Sequence, residues 1–273
     1  MSEFLVFMAA PFAACLAIVG IHAYLGLHVL QREVIFVDLA LAQMAALGST
    51  LAFFAGYELG SGTAYVCALG ATFAGAAIFS LTRMRHSANP QEAIIGIVYA
   101  VSAAAGVLVL DRAPHGAEHL KSLLVGAILW VSWADVVRLV SIYAVVGFFH
   151  WFFRQRFMAL SFSEDEAAAE DRSTRWWDFL FYASFGLVIT QSVQIAGVLL
   201  VFSFLIVPAV CAALFTRRIG ARLALGWIIG FVVSAVGCSL SYVADLPTGA
   251  TVVCTFGLAL LLLGAMRIIL KLT

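Results

Sequence analysis

The side chains best suited to bind a divalent metal ion lie together in one short segment. His115 and His119 are four residues apart, which would place both imidazoles on one side of a helical turn, and Glu118 adds a carboxylate between them. Imidazole and carboxylate groups bind zinc, manganese and iron. Because Pro114 and Gly116 disfavour a rigid helix, the segment has two interpretations, a hydrated loop or a vestibule that collects metal ions.

A second set of polar side chains interrupts long apolar stretches. Asp38 and Gln43 lie in one such stretch, and His22 lies in the stretch before it. Ionisable groups within a membrane are costly, so they tend to face a partner, a cavity or a pathway. Asp38 is therefore either a carboxylate that holds two helices together or a pathway carboxylate, with Gln43 as a neutral gate or ligand. His22 is either an anchor at the membrane interface or a pathway residue able to approach Asp38.

Pro208 lies inside the long apolar run that begins after Gly197. Proline removes a helical hydrogen bond, which is tolerated within a membrane where neighbouring helices or a cavity satisfy the freed carbonyl. Proline at this position is typical of a kinked helix that lines a pathway. The other interpretation is an ordinary helix break without a functional role.

The overall composition excludes most classes of soluble protein. Of the 273 residues, 64% are hydrophobic and only 11% are charged, which is far fewer charges than the surface of a soluble domain needs. The 15 basic and 15 acidic groups balance, so the chain has no general attraction for nucleic acid. No phosphate-binding loop, HExxH or GxSxG motif is present, and this argues against a soluble-type enzyme.

Apolar runs of about 20 residues, the length needed to cross a bilayer, recur along the chain. They predict an all-α integral membrane protein, a single bundle over residues 1–273 with eight or nine spans. The runs are approximately 4–27, 35–57, 63–82, 92–110, 121–131 continuing into 135–153, 177–194, 196–215, 223–243 and 249–270. With the amino terminus outside and the carboxyl terminus inside, all counted cations except Arg112 and Lys121 fall on the inner side, as cytoplasmic loops require. Arg138, near or within a span, is not counted.

The longest hydrophilic stretch, Arg154 to Arg175, lies on the predicted inner side. Ser163 can cap a short helix whose first turn carries Glu164, Asp165 and Glu166. This surface helix is either a solvated linker between spans or a docking element for a cytoplasmic partner.

Five fragments occur in an order that is more informative than any of them alone. They are GLHVLQREVIFVDLALAQMAALG from Gly26, EAIIGIVYAVSAAAGVLVL from Glu92, LLVGAILWVSWADV from Leu123, VQIAGVLLVFSFLIVPAVCAALF from Val193 and SYVADLPTGATVV from Ser241. Over nearly the whole chain, this order resembles the permease family of the zinc, manganese and iron ABC importers. The most specific part is GVLLVxxxLIVPA followed some forty residues later by SYxxDLPTG.

The resemblance implies a multi-pass permease of the bacterial inner membrane that does not itself hydrolyse ATP. Two permease copies would assemble with two copies of a cytoplasmic ABC ATPase, and an extracytoplasmic metal-binding protein would deliver the substrate. The family also has a short cytoplasmic helix that docks in the ATPase, usually with an alanine and a glycine four residues later. Here Ala167 matches the alanine, whereas Asp171 stands at the glycine position, which makes about 157–175 the coupling segment.

The second span departs from the family pattern GDxxxHxxxxG. This chain reads VDLALAQMAALG, so that, counted back from Gly48, Gln43 occupies the histidine position and Asp38 lies one residue earlier than the family aspartate. A separation of five residues turns the two side chains roughly 140° apart on an α-helix. Asp38 and Gln43 therefore cannot act as a simple bidentate pair.

The leading hypothesis is the permease subunit of an ATP-driven importer for zinc, manganese or iron. His115, Glu118 and His119 would capture the metal outside, and the pathway would include Asp38 and Gln43. His22 and Pro208 complete the candidate pathway. The metal is a substrate, no cofactor is expected to bind tightly, and ATP would bind a partner subunit. Two alternatives stay open: a permease of the same fold for a metal chelate, and a gradient-driven secondary transporter with Asp38 as its proton site.

Overall fold

The computed structural model describes residues 2–58, 60–82, 91–111, 126–163 and 172–272. Within these ranges the regular structure is helical throughout. The helices are α1 (Ser2–Gln31), α2 (Val37–Phe54), α3 (Gly62–Leu81), α4 (Gln91–Leu110), a 3-10 turn (Ile128–Trp130), α5 (Trp133–Phe152), α6 (Arg154–Phe162), α7 (Arg172–Ala196), α8 (Val198–Phe215), α9 (Ile219–Ala244) and α10 (Thr248–Leu272).

Apart from the short α6, every α-helix of the described ranges is long and apolar enough to cross a membrane. The predicted all-α membrane fold with eight or nine spans is therefore confirmed. The fifth predicted run does divide near residue 132, because a 3-10 turn precedes the full span α5. The predicted boundary between the spans 177–194 and 196–215 is confirmed as well, since α7 ends at Ala196 and α8 begins at Val198.

The chain forms two compact units. The first consists of Met1–Leu30, Leu124–Val145 and Gln194–Thr273, and the second of Gln31–Leu123 and Val146–Val193. The first unit therefore contains most of α1 together with α8, α9 and α10. The second contains α2, α3, α4, α6 and most of α7.

Small residues allow the helices of the first unit to approach closely. A side chain at Gly26 of α1 would collide with the carbonyl of Leu205 in α8, and one at Gly230 of α9 would collide with Val19. The indole N–H of Trp227 donates to the Gly20 carbonyl across 2.9 Å. Such contacts are typical of membrane helices, which associate through van der Waals packing and hydrogen bonds rather than through the exclusion of water.

Two non-helical segments of the first unit meet backbone to backbone. Gly126 and Gly197 both have positive φ, of 72° and 77°, a conformation that glycine adopts without strain. The Ala127 N–H donates to the Ile195 carbonyl at 3.1 Å, and a Cβ at Gly126 would collide with the backbone of Ala196. Irregular backbone in a membrane protein is tolerated where protein groups satisfy it in this way.

In the second unit, α2 packs against both α3 and α4. Gly48 faces the backbone of Cys67 and leaves no room for a side chain. Thr72 of α3 and Thr190 of α7, both buried, share a hydrogen bond of 3.1 Å between their hydroxyl oxygens. The packing of α2 against α3 and α4 holds this helix, which carries two of the predicted pathway residues.

Candidate functional site

Asp38 lies in the first turn of α2, and its side chain is only 2% exposed. Its Oδ1 accepts a hydrogen bond from the Leu39 N–H at 2.7 Å, as expected for a carboxylate beside the unpaired amides of a helix N-terminus. Among the residues that the structure describes, none forms a salt bridge with Asp38. The carboxylate is therefore buried at the end of an apolar helix without a cationic partner in the described ranges.

A second carboxylate, from α4, lies at the same end of α2. The Oε1 atom of Glu92 accepts the Phe36 N–H at 3.0 Å, just before α2 begins. Its Oε2 atom is buried and has no hydrogen-bond partner among the described residues. Glu92 was not predicted as a pathway residue, although an acidic residue at the start of a predicted span was the available signal.

Gln43 is half-buried on the same helix as Asp38. Because α2 is a continuous α-helix from Val37 to Phe54, the five-residue separation places the two side chains roughly 140° apart and about 7.5 Å apart along the axis. The two residues thus point to different sides of α2, as the sequence predicted. A role of Gln43 as gate or ligand stays a prediction.

His22 is fully buried within the first unit. Its Nδ1 lies 2.9 Å from the Ile18 carbonyl oxygen, and its ring meets that of Tyr143 edge-on, with centroids 6.2 Å apart. This burial favours a packed position within the helices over an anchor, whose polar edge would be exposed. The approach of His22 to Asp38 stays a prediction.

Pro208 is buried in α8, also within the first unit. Lacking an N–H, it cannot bond the carbonyl four residues earlier, that of Phe204, whose ring packs edge-on against Phe256 at 5.5 Å. The Pro208 carbonyl faces Gly226 of α9, where an added Cβ would lie 3.7 Å from the oxygen. Tight packing thus accommodates the proline, and its role in a pathway stays a prediction.

Part of the predicted coupling segment is a packed helix rather than a hydrated linker. Phe157 and Leu160 of α6 are buried, and the role of 157–175 as a coupling segment stays a prediction. Ser163 follows the helix as its C-cap, with its N–H donating to the Ala159 carbonyl at 2.9 Å. The other predicted coupling and metal residues lie outside the described residues: Glu164, Asp165, Glu166, Ala167, Asp171, His115, Glu118 and His119.

A buried ion pair in the second unit was missed from the sequence. The Arg32 Nη1 donates to Asp178 Oδ1 at 2.8 Å, and Arg32 Nε donates to the Ser161 hydroxyl at 2.8 Å. Arg32 counted only as an inner cation, and the one signal for the pair was Asp178 at the start of the predicted span 177–194.

No three His, Cys, Asp or Glu side chains within the described ranges come together to hold a metal ion. The carboxylates of Asp38 and Glu92 lie at the same end of α2, where they can attract a cation, but they form no closed cage with other described residues. An open arrangement suits passage, because an ion that must leave a site has to bind weakly there.

Comparison with known proteins relates this fold to membrane transport. The model of the ABC 3 transport family matches residues 5–267. The probable metal transport system membrane protein of Chlamydia muridarum is 28% identical over 173 residues, which cover 62% of this chain and only 58% of the relative. The probable iron transport system membrane protein of Haemophilus influenzae is 26% identical over 239 residues, which cover 87% and 82% of the two chains.

A solved structure shares the fold. PsaBC from Streptococcus pneumoniae in complex with Fab superimposes with a TM-score of 0.76 at 22% identity, covering 96% of this chain and 94% of that one. The family match extends over almost all of a chain whose helices repeatedly meet the length and apolarity of membrane spans. The protein is a multi-pass membrane protein and belongs to the ABC 3 transport family.

Proposed function

We propose that this chain is the permease subunit of an ATP-driven importer for a divalent metal ion, zinc, manganese or iron, in the bacterial inner membrane. The observation that carries the proposal is the buried Asp38 carboxylate in a membrane-spanning helix, which pairs with no cation in the described part of the chain. A transported cation would satisfy this charge. The Chlamydia and Haemophilus relatives are named as probable metal and iron transport system proteins, which supports the same substrate class.

In this proposal an extracytoplasmic binding protein releases the metal to an outer vestibule formed by His115, Glu118 and His119. The ion then passes Asp38 and Gln43. These residues contact it one after the other, because they are separated both around α2 and by about 7.5 Å along its axis. His22 and Pro208 belong to the same pathway. Weak, successive contacts allow the ion to leave, whereas a four-ligand cage would retain it.

The energy would come from a separate subunit. The chain contains no phosphate-binding loop, so ATP hydrolysis is assigned to a cytoplasmic ABC ATPase. The coupling segment at about 157–175 would contact this partner, with Ser163, Glu164, Asp165 and Glu166 at its start. Two copies of the chain, each a single transmembrane domain with the amino terminus outside, would form the importer.

Two other functions make different predictions for transport. A permease for a metal chelate is favoured by Gln43 at the position where the family pattern has histidine, because an amide is a poorer ligand for a bare transition-metal ion. A gradient-driven transporter would use Asp38 as a proton site and would need no ATPase.

Uptake into proteoliposomes distinguishes these functions. The complex that copurifies with the chain is reconstituted and supplied separately with zinc, manganese or ferrous ions, or with a ferric chelate. Each substrate is offered with the binding protein, with and without ATP, and with an imposed pH gradient. We expect ATP-dependent uptake of at least one free ion and no response to the gradient. Uptake of the chelate alone, or uptake driven by the gradient without ATP, would contradict the proposal.

A further inference from the structure

Arg32 connects three segments of the second unit that are distant in sequence. It lies just after α1, whereas its hydrogen-bond acceptors are Ser161 of α6 and Asp178 of α7. The Arg32 side chain is 7% exposed and that of Asp178 is completely buried, and Ser161 is buried too. We refer to these three residues as the Arg32 clamp.

Burying the charged groups of the Arg32 clamp costs free energy, which argues that their position matters for function. Removing a guanidinium and a carboxylate from water is costly, and their attraction offsets the cost only when geometry and additional hydrogen bonds are favourable. Here Nε and Nη1 of Arg32 are bonded, whereas Nη2 is buried and has no hydrogen-bond partner in the part of the chain that the structure describes. The guanidinium therefore retains a donor that another acceptor can engage when its neighbours move.

Aromatic packing fixes α6 beside the clamp. The Phe157 ring of α6 stacks on His150, with centroids 4.3 Å apart and planes 13° from parallel. His150 Nε2 lies 2.8 Å from the Ser184 hydroxyl of α7, and the Arg32 guanidinium lies over the Phe181 ring at 4.0 Å. A displacement of α6 must therefore disturb either this packing or the Arg32 clamp.

The clamp is also adjacent to the candidate pathway. Arg32 precedes Asp38 by six residues, and the turn between them is tightly held. Glu33 has a left-handed φ of 58°, the Val37 N–H bonds the Val34 carbonyl at 3.2 Å, and Glu92 binds the backbone at the other end of the turn. So short a turn transmits a displacement of Arg32 to the first turn of α2.

We propose that Arg32 is a positioning residue that links α6 to the start of α2, so that a displacement of α6 changes the position of Asp38. This inference rests on the proposed function, because α6 leads directly into the predicted coupling segment. When a cytoplasmic partner moves α6, the Ser161 hydroxyl changes its distance from Arg32. The guanidinium of Arg32 then rotates about its ion pair with Asp178. The short backbone turn between Arg32 and α2 carries this displacement to Asp38.

The test compares Ser161→Ala and Arg32→Lys with the wild type in the reconstituted complex, using the ion that the wild type transports. Ser161→Ala removes the hydrogen bond from Arg32 Nε and keeps the ion pair with Asp178. Arg32→Lys keeps the positive charge but loses the second hydrogen bond that the guanidinium forms. The matched control is Thr72→Val, which removes the buried hydrogen bond to Thr190 elsewhere in the same unit. Metal uptake, ATP hydrolysis and melting temperature are measured for every variant, together with hydrogen exchange of residues 33–40.

For both clamp variants we expect ions transported per ATP hydrolysed to fall by about fivefold, the lower end of coupling between sites. The control is expected to keep the wild-type ratio at a comparable melting temperature. Faster hydrogen exchange of residues 33–40 is expected in Ser161→Ala and not in the control. An unchanged ratio, or an equal fall in the control, would overturn the inference.

Two outcomes separate this inference from the proposed function. If the wild-type complex transports no metal ion, the proposed function fails, while hydrogen exchange of residues 33–40 still tests the link between Ser161 and α2. If Arg32→Lys does not fold, Ser161→Ala decides the matter, because it leaves no buried charge unpaired. Unchanged exchange in Ser161→Ala would refute the link in either case.

Discussion

Replacing Gly26 by alanine tests the close crossing of α1 and α8. A Cβ at this position would overlap the Leu205 carbonyl oxygen and would lie 3.1 Å from the Leu205 carbonyl carbon and 3.2 Å from Ala209 Cβ. Two of these three atoms belong to the backbone, so they cannot rotate away as a flexible side chain would. The helices must move apart, and overpacking of this kind typically costs about 1–3 kcal/mol.

Gly20 provides a control on the same helix, because a Cβ there would meet nothing within 4 Å. Alanine at Gly20 should stabilise α1 by about 1 kcal/mol, the usual difference in helix propensity between the two residues. The free energies of unfolding of the two variants should therefore differ by about 2–4 kcal/mol, with Gly26→Ala the less stable.

The assay is equilibrium unfolding of the purified chain in mixed detergent micelles, followed by tryptophan fluorescence and helical circular dichroism. Gly26→Ala should unfold at a lower denaturant fraction than the wild type, and Gly20→Ala at an equal or higher one. If Gly26→Ala is as stable as Gly20→Ala, α1 and α8 do not approach as closely as the packing at Leu205 requires.

Three further variants test local features by the same unfolding assay. Ser132→Ala should destabilise α5 by about 1 kcal/mol, because the Ser132 hydroxyl donates to Asp135 Oδ2 at 2.6 Å and accepts the Asp135 N–H; Ser132→Thr, whose hydroxyl can form both bonds, should be nearly neutral. Gly197→Ala should cost about 1–3 kcal/mol, since φ is 77° there, and wild-type stability would contradict that conformation. Trp227→Phe should lose about 1 kcal/mol with the hydrogen bond to Gly20; a neutral effect would show that this bond does not contribute.

The spans were predictable from the sequence because the thickness of a bilayer determines how long an apolar helix must be. The bounds of the apolar runs also indicated the division near residue 132 and the boundary before α8. The divergence of Asp38 and Gln43 was equally predictable, since a continuous helix turns by a fixed angle per residue.

The Arg32 clamp could not be predicted in the same way. Arg32 and Asp178 are 146 positions apart, and nothing in a single sequence states which of the inner cations enters a buried pair. The burial of α6 was not predictable either, because Arg154 and Arg156 make this segment hydrophilic while Phe157 is buried among aromatic rings. Tertiary packing, rather than local composition, decides both features.

The first turn of α2 was only half predicted. Asp38 was predicted as a pathway residue because a carboxylate within an apolar stretch is costly unless it has a partner or a function. The structure does place Asp38 in a buried position. Glu92 was not selected because it stands at the edge of its span, where a charge is ordinary. Only the packing of α4 against α2 brings the second carboxylate to the same helix end.

The central claim, that metal ions pass the carboxylate of α2, is tested most directly by uptake through the reconstituted complex carrying Asp38→Asn. The matched control is Asp135→Asn, which alters a half-buried aspartate in the first turn of another span. We expect Asp38→Asn to lower ATP-driven metal uptake by about tenfold, equivalent to about 1.4 kcal/mol, with folding intact and the control near wild type. Equal uptake by the two variants would contradict the claim.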